Sequence, residues 1–454
     1  MKVLKFGGTS LADQRHVEGV ARLVDEAAKE ERVVVVASAV AGTTNRLVAL
    51  IEDSSGFGAG WVEKVRGIER QHLEVLAHLP SQCRGPAERS IQTVIGELRD
   101  DLCELAAEPT NRKEIADRVL AVGERLSVQL LTATLQSKGC TASVVDATGA
   151  VVTDSSFGEA RVDLEATRRR CRRLFGGRNT ATPVVAGFIG ADPHSRTTTL
   201  GRGGSDLTAA VLGAVLDAER VEIWTDVDGV LTAPPQLVPS VSSIPWLSYE
   251  EAAELSFFGA KVLHPRMVRP LAERGIPIHV RNTLKPARRG TEITAHGGTR
   301  SRVVAASAFE DVTAFRLREG SLGAVDEVLM SCRASADGTT LIAVPSSRAG
   351  SLIDRFHEED QFAASIVTLV GHDIALQPWV AGRALESLAR RGIIVRSFAA
   401  GASSHTVALL VDREDLQDAL RTVHDALMLD RETLAISRNE TAPSKKEIRH
   451  VSAA

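Results

Sequence analysis

Two glycine-rich turns hold the residues best suited to chemistry. The first, KFGGTS (Lys5 to Ser10), follows an apolar run and reads as opening a helix. Paired glycines let backbone N–H groups approach a ligand, and a helix N-terminus favours negative charge, so this turn reads as an anion cradle. Gly-Gly after a strand is also a common structural turn. Lys5, one strand position earlier, sharpens the functional reading, because a buried ammonium without a partner is costly and should face an anion. The second turn, TLGRGGSD (Thr199 to Asp206), also enters a helix, with Ser205 placed as an N-cap and Asp206 in the first turn. Capping alone accounts for those two. It does not account for Arg202 between glycines, where a planar guanidinium can grip a carboxylate through two parallel hydrogen bonds.

Other polar groups sit in similar turns: Ser38 and Thr43-Thr44-Asn45, Glu124 in VGERLS, and Thr225-Asp226-Val227-Asp228-Gly229. Each one alone is equally explained by capping, turn chemistry or a solvated charge. Arg far outnumbers Lys, so the few lysines, Lys5 and Lys261 among them, stand out as compact ammonium groups. Walker A, GxGxxG after a strand, HExxH and GxSxG patterns are absent from the sequence, so phosphate binding here needs another loop design.

These turns need elements to position them. Val3–Phe6, Val33–Ser38, Ser143–Val145, Pro183–Phe188, Val221–Trp224 and Pro277–Val280 read as strands. Amphipathic helices are expected over Gln14–Lys29, Trp61–Leu79, Ile115–Ser137 and Leu207–Ala218. That alternation predicts a mainly parallel sheet covered by helices on both faces, a three-layer αβα sandwich with its ligands at the carboxyl ends of the strands. From about Pro286 to Arg302 the chain turns Pro, Gly, Thr and Arg rich, a boundary signal. Beyond it, strands over Val312–Leu317, Leu341–Val344, Ser365–Val370 and Thr406–Val411, with helices over Ala381–Arg390 and Glu414–Leu427, predict a smaller α+β region. Domains are therefore expected at 1–296 and 303–437, followed by a polar, mobile tail at 438–454.

With 454 residues, 44% hydrophobic and 25% charged, the chain is an ordinary multi-domain globular protein and not a disordered one. Its formal charge of -4 excludes a bulk positive field for nucleic acid or anionic lipid. The longest strongly apolar run, Val33–Ala41, is about half of the ~20 residues of a membrane helix, and a cytoplasmic location is expected. Five scattered cysteines without a CxxC pair read as small buried thiols, not as a disulfide framework or zinc site.

Taken together, KFGGTS, SAVAGTTN, VGERLS, GFIG, TTTLGRGGSD, WTDVDGV, LSYEEAAELSFFGAKVLHPR and IPIHVRNT resemble the aspartate kinases of the amino acid kinase family, in order over about the first 295 residues. The following region resembles the ACT regulatory region, most clearly in a second unit at about 362–430. The resemblance implies the amino acid kinase fold. It also implies transfer of the γ-phosphoryl of ATP to the β-carboxylate of L-aspartate, giving 4-phospho-L-aspartate at the head of lysine, threonine and methionine synthesis, with Mg²⁺ on the nucleotide phosphates. By the same resemblance, Lys5 meets the transferring phosphoryl group, helped by Gly7 and Gly8, and Asp206 is the organising acid. Arg202 takes the α-carboxylate of aspartate and Glu124 its α-amino group, while Ser38, Thr44 and Ser205 supply hydroxyls. Thr225 and Asp226 line the nucleotide site, and Lys261 reaches its phosphates. A homo-oligomer paired through ACT units is implied as well.

The pattern breaks in two places. Where the family reads DVDGVYTADPR, this chain reads DVDGVLTAPPQ, so Leu231, Pro234 and Gln236 replace Tyr, Asp and Arg in the nucleotide loop. Losing a ring and a guanidinium at about 1 to 3 kcal/mol each implies ATP binding weakened roughly 5- to 150-fold by each loss. The first ACT unit (EGSLGAVDEVLMSCRASADG) lacks the usual effector-pocket segments, and Ser403-Ser404-His405 replaces a Ser-Glu-Asn pattern, so feedback by lysine or threonine is expected to be reduced or absent. These departures leave two alternatives to the aspartate kinase reading: a relative with another nucleotide or carboxylate substrate, and a non-catalytic regulatory subunit.

Overall fold

The computed structural model describes residues 1–53, 60–107, 109–177, 181–259, 263–297, 303–317, 328–333, 339–353, 361–401 and 403–428. The chain forms two compact units. The first comprises Met1–Val230, Ser243–Phe257 and Lys261–Gly298. The second takes the described residues from Thr299 onward together with Leu231–Ser242 and Phe258–Ala260 from earlier in the chain.

The first unit opens with β1 (Lys2–Phe6), α1 (Gln14–Glu30), β2 (Val33–Ala37), α2 (Thr43–Glu52), α3 (Trp61–Leu76), α4 (Ser81–Ala106) and α5 (Arg112–Ser137). It continues through β3 (Ala142–Val145), α6 (Ala147–Ala150), α7 (Leu164–Phe175), β4 (Thr182–Ala186), β5 (Ile189–Ala191), β6 (Thr197–Thr199) and α8 (Gly204–Val215). It closes with β7 (Arg220–Thr225), β8 (Trp246–Ser248), α9 (Tyr249–Phe257), α10 (Pro265–Ala272), β9 (Ile278–Asn282) and β10 (Thr291–Thr294). Eight strands form one sheet in the order β3-β4-β2-β1-β7-β9-β10-β8. Only the β9–β10 pair is antiparallel.

Burial follows from the sequence. Every residue of β1 and β2 is buried, the mark of central parallel strands covered on both faces. In α1, Val17, Val20, Ala21 and Val24 recur at helical spacing and turn inward, and Asp13 caps the helix by accepting from His16 N–H at 3.0 Å. The longest helices, α4 and α5, pack on each other, and α5 also lies on β2, β3 and β4, while α8 covers β1, β2 and β7. The result is the expected three-layer αβα sandwich.

The second unit contains β11 (Val303–Leu317), β12 (Met330–Arg333), β13 (Thr340–Pro345), α11 (Gly350–Ile353), β14 (Gln361–Gly371), α12 (Pro378–Arg390), β15 (Val395–Ala400), β16 (Thr406–Asp412) and α13 (Leu416–Met428). Its antiparallel sheet runs β12-β13-β11-β14-β16-β15. β11 is far longer than its β-branched run suggests. Its Ala- and Ser-rich first half pairs with β14 up to Phe309, and a register shift before Val312 carries the ladder on. On one face, Val367 and Leu409 pack with Val380 and Leu388 of α12 and Leu420 and Val423 of α13.

The same core takes in Ala233 and Val238. Their segment is tied down by Ala306 N–H donating to Thr232 O at 2.8 Å and by a 3.0 Å hydrogen bond between Thr232 Oγ1 and His424 Nε2. Phe258 O accepts from Ser307 Oγ at 2.8 Å. Most of the first ACT-like stretch, 318–327 and 334–338, and the polar tail lie outside the described residues.

The cysteines depart in part from expectation. Cys83 and Cys171 are buried, but Cys103, on the outer side of α4, and Cys332, on edge strand β12, are exposed. No described helix is long and apolar enough to cross a membrane.

Candidate active site

β1 lies between β2 and β7, so the chain leaves its carboxyl end toward one side of the sheet and returns on the other. Such a reversal opens a crevice at the strand ends. A cleft of about 750 Å³ lies there, lined by Lys5, Gly7, Gly8, Ser38, Thr44, Glu124, Arg202, Ser205, Asp206, Thr225 and Asp226. These residues come from five separate stretches of sequence. Of the remaining sequence candidates, Leu231 and Gln236 belong to the second unit, and Lys261 lies outside the described residues.

Lys5 is the penultimate residue of the buried strand β1, and its Nζ lies 2.6 Å from Asp206 Oδ1. The adjoining backbone is held on both sides, by Gly7 N–H on Trp224 O at 3.0 Å and by Ser38 N–H on Phe6 O at 3.1 Å. The helix expected directly after KFGGTS is only a single 3₁₀ turn, Gly8–Leu11; α1 begins later, behind its Asp13 cap. Ser10 instead meets Thr283 through a 2.7 Å hydroxyl pair.

The second turn also differs in detail. Gly203, with φ of +70°, caps α8, and Ser205 lies inside the first helical turn without capping it. The left-handed residue is set by space as well as by φ, since a Cβ on Gly203 would sit 2.4 Å from the His264 ring. Burial lowers the His264 pKa, with the neighbouring Arg266 adding to the effect. Asp206 therefore sits in the first turn of α8, where an acid is favoured, and Arg202 projects, exposed, from the loop before it.

Glu124 reaches the cleft from α5. Gly123 makes that approach possible, because a Cβ there would meet Ala39 Cβ at 2.8 Å. Glu124 is 4% exposed, and its Oε2 has no hydrogen-bond partner. Burial drives its pKa up to about 8, against the opposing pull of the Ala39 and Glu124 N–H groups and the Lys5 charge.

Several supporting residues carry no sequence signal. Asp117, buried on α5, accepts from Thr199 N–H at 2.7 Å, Thr199 Oγ1 at 2.8 Å and Gly158 N–H at 3.0 Å, fixing two loops that line the cleft. Burial raises its pKa, and those donors oppose the rise. Arg266 Nη1 donates to Leu200 O at 2.8 Å, bracing the glycine loop from below. Asn282 Nδ2 donates to Asp228 Oδ1 at 2.6 Å and shapes the turn after β7. Only the partners across the fold reveal these roles; the TDVDG and HPR motifs were the nearest local hints.

The arrangement offers a buried cation–carboxylate pair, an exposed guanidinium, an unpartnered carboxyl and glycine turns at a helix N-terminus. That set suits an anionic, phosphate-bearing ligand beside a small zwitterion. Among the described residues, no group of three or more His, Cys, Asp or Glu side chains is placed to hold a metal ion.

Comparison with known proteins agrees with this geometry. The amino acid kinase family model matches residues 1–282 and an ACT domain model matches 367–427. Aspartokinase 2, chloroplastic, of Arabidopsis thaliana is 31% identical over 465 residues, covering 93% of this chain and 84% of that protein. The bifunctional aspartokinase/homoserine dehydrogenase of Buchnera aphidicola is 28% identical over 96% of this chain, which spans only 57% of that protein's length. The crystal structure of E. coli aspartokinase III in complex with aspartate and ADP (R-state) superposes with a TM-score of 0.83 at 28% identity, covering 94% of this chain and all of that one. This chain therefore belongs to the amino acid kinase family, among the aspartokinases.

Proposed function

We propose that this protein is an aspartate kinase that transfers the γ-phosphoryl of ATP to the β-carboxylate of L-aspartate, giving 4-phospho-L-aspartate and ADP. The observation that carries the reading is the Lys5–Asp206 pair, held at 2.6 Å in a cleft that also presents Arg202 and Glu124. Phosphoryl transfer is catalysed mostly by positioning and charge stabilisation, and this cleft is built for both.

In this reading Asp206 orients Lys5 so that its ammonium meets the oxygens of the transferring group. Gly7 and Gly8 let backbone N–H groups approach the phosphates, and Thr225 and Asp226 border the nucleotide. Arg202 grips the α-carboxylate of aspartate, Glu124 receives its ammonium, and Ser38, Thr44 and Ser205 contribute hydroxyls. The β-carboxylate is then the group left free to attack phosphorus in line. Mg²⁺, carried on the phosphate oxygens, would supply neutralisation of the charge that builds there. A donor set with few clustered carboxylates fits a metal brought in with the nucleotide.

The ACT match and the antiparallel sheet with edges at β12 and β15 support a regulatory second unit that pairs between copies of the chain, with lysine or threonine as a weakened effector. The cytoplasm, where ATP and aspartate meet, is the compartment this reading calls for. Trapping the acyl phosphate with hydroxylamine tests it. Hydroxamate formed from L-aspartate and Mg-ATP, and abolished by Lys5→Ala, is the expected result; no hydroxamate from folded protein at any ATP concentration would overturn the reading.

A further inference from the structure

We propose that L-aspartate enters this cleft in exchange for one proton, which leaves Glu124 as the ligand's ammonium arrives. The inference rests on the aspartate kinase reading and deepens it. Glu124 is 4% exposed, lines the cleft, and leaves Oε2 without a partner. A carboxylate in that setting has lost its water, and the Ala39 and Glu124 N–H groups replace only part of it, so the empty site favours the neutral acid.

The charged groups facing this region do not supply the missing compensation. Lys5, on β1, is committed to Asp206 of α8 at 2.6 Å. Arg202, on the loop before α8, and Asp226, after β7, are exposed. From α2, Thr44 and Asn45, both uncharged, line the cleft. Burial thus holds the Glu124 pKa at about 8 in the empty cleft. An ammonium placed against Oε2 provides both an opposite charge and hydrogen-bond donors, which reverses the preference. The balance is simple: the carboxylic acid and the ammonium ligand become a carboxylate–ammonium pair, and the proton passes to solvent with no bond formed to the ligand.

Calorimetric titration of the full chain with L-aspartate, in buffers of low and high ionisation enthalpy, tests this directly. At pH 7 the dependence of observed heat on buffer should correspond to release of about 0.9 proton per ligand, falling toward zero above about pH 9. The dissociation constant should tighten about tenfold per pH unit between about pH 6 and 7.5 and level off above 8. In Glu124→Gln both dependences should vanish while weaker binding persists. The wild-type buffer and pH series decide the matter even if the variant fails to fold. Saturable aspartate binding with no proton release and a flat pH profile overturns this proposal and leaves the aspartate reading standing. Folded protein that binds no aspartate at all overturns both.

Discussion

Lys5 Nζ and Asp206 Oδ1 lie 2.6 Å apart, one at the end of a central strand and the other in the first turn of a helix that packs on that strand. Each side chain is only slightly exposed, at 11% and 15%. The ammonium is thus aimed by the acid, and the pair should act as one unit. Lys5→Met and Asp206→Asn are each expected to lower kcat by about 10²- to 10³-fold or more, and the double variant should be little worse than the poorer single. Steady-state hydroxamate assays on folded variants check this; additive losses would show that the two act separately.

Gly203 gives a prediction of a different kind. Alanine there meets a φ of +70° and a Cβ 2.4 Å from the His264 ring, so Gly203→Ala should cost about 1 to 3 kcal/mol and displace the turn that carries Arg202. A lower Tm together with a raised KM for aspartate is the expected pair of outcomes. An unchanged KM would mean that the turn does not position the substrate.

His72 is fully buried, with Nδ1 2.7 Å from Ile68 O and Nε2 without a partner. Burial lowers its pKa to about 4 from 6.5. The folded state therefore resists protonation that the unfolded chain accepts, so stability is complete above about pH 6.5 and is lost as pH falls toward 4. Between pH 7 and 4.5 this one group should remove about 2 to 3 kcal/mol, and His72→Leu should remove that part of the acid sensitivity. Urea unfolding midpoints at the two pH values make the comparison.

Glu124 works in the opposite direction. Its folded pKa of about 8 against an ordinary 4.5 means that stability is fullest below about 4.5 and is lost as pH rises through 8. Without ligand, Glu124→Gln should gain on the wild type by about 3 kcal/mol between about pH 4.5 and 7, if no other contact changes. Paired denaturation curves measure the gain, and equal curves at both pH values would refute a buried acid at this position.

Leu231 is half-buried and Gln236 exposed, so neither side chain is enclosed in the core. Restoring the family residues by Leu231→Tyr with Gln236→Arg should tighten ATP binding by about 5- to 150-fold for each residue restored. Equilibrium binding of ATP to both proteins tests it, and a wild-type affinity already equal to that of the double variant would dismiss the expected weakness.

Much of this architecture was legible because the relevant signals are local. Val3–Phe6, Val33–Ala37 and Val221–Trp224 are short and apolar, as buried parallel strands require, and they place Lys5, Ser38 and Thr225 at one end of the sheet. Motif by motif, the Gly-rich turns were found where they line the cleft. What escaped depends on partners distant in sequence. Asp117 looks like one more acid on an amphipathic helix until Thr199 and Gly158 arrive to use it. The first half of β11, rich in Ala and Ser, becomes a strand through its pairing with β14, not through its own propensity. Ser205 has the composition of a cap, yet Gly203 takes that position, where the His264 ring leaves no room for a Cβ.

The segment Leu231–Ser242 lies in sequence between two strands of the first sheet, yet Ala233 and Val238 help to fill the hydrophobic core of the second unit. No single cut in the gene therefore separates the two units. A chain ended near residue 298 would keep those side chains while losing what covers them, leaving an exposed apolar strip prone to self-association. Recombination that exchanged the regulatory half for a foreign one would meet the same obstacle, because the incoming module would need a groove for a segment it did not bring. The two halves are thus bound to evolve as a matched set.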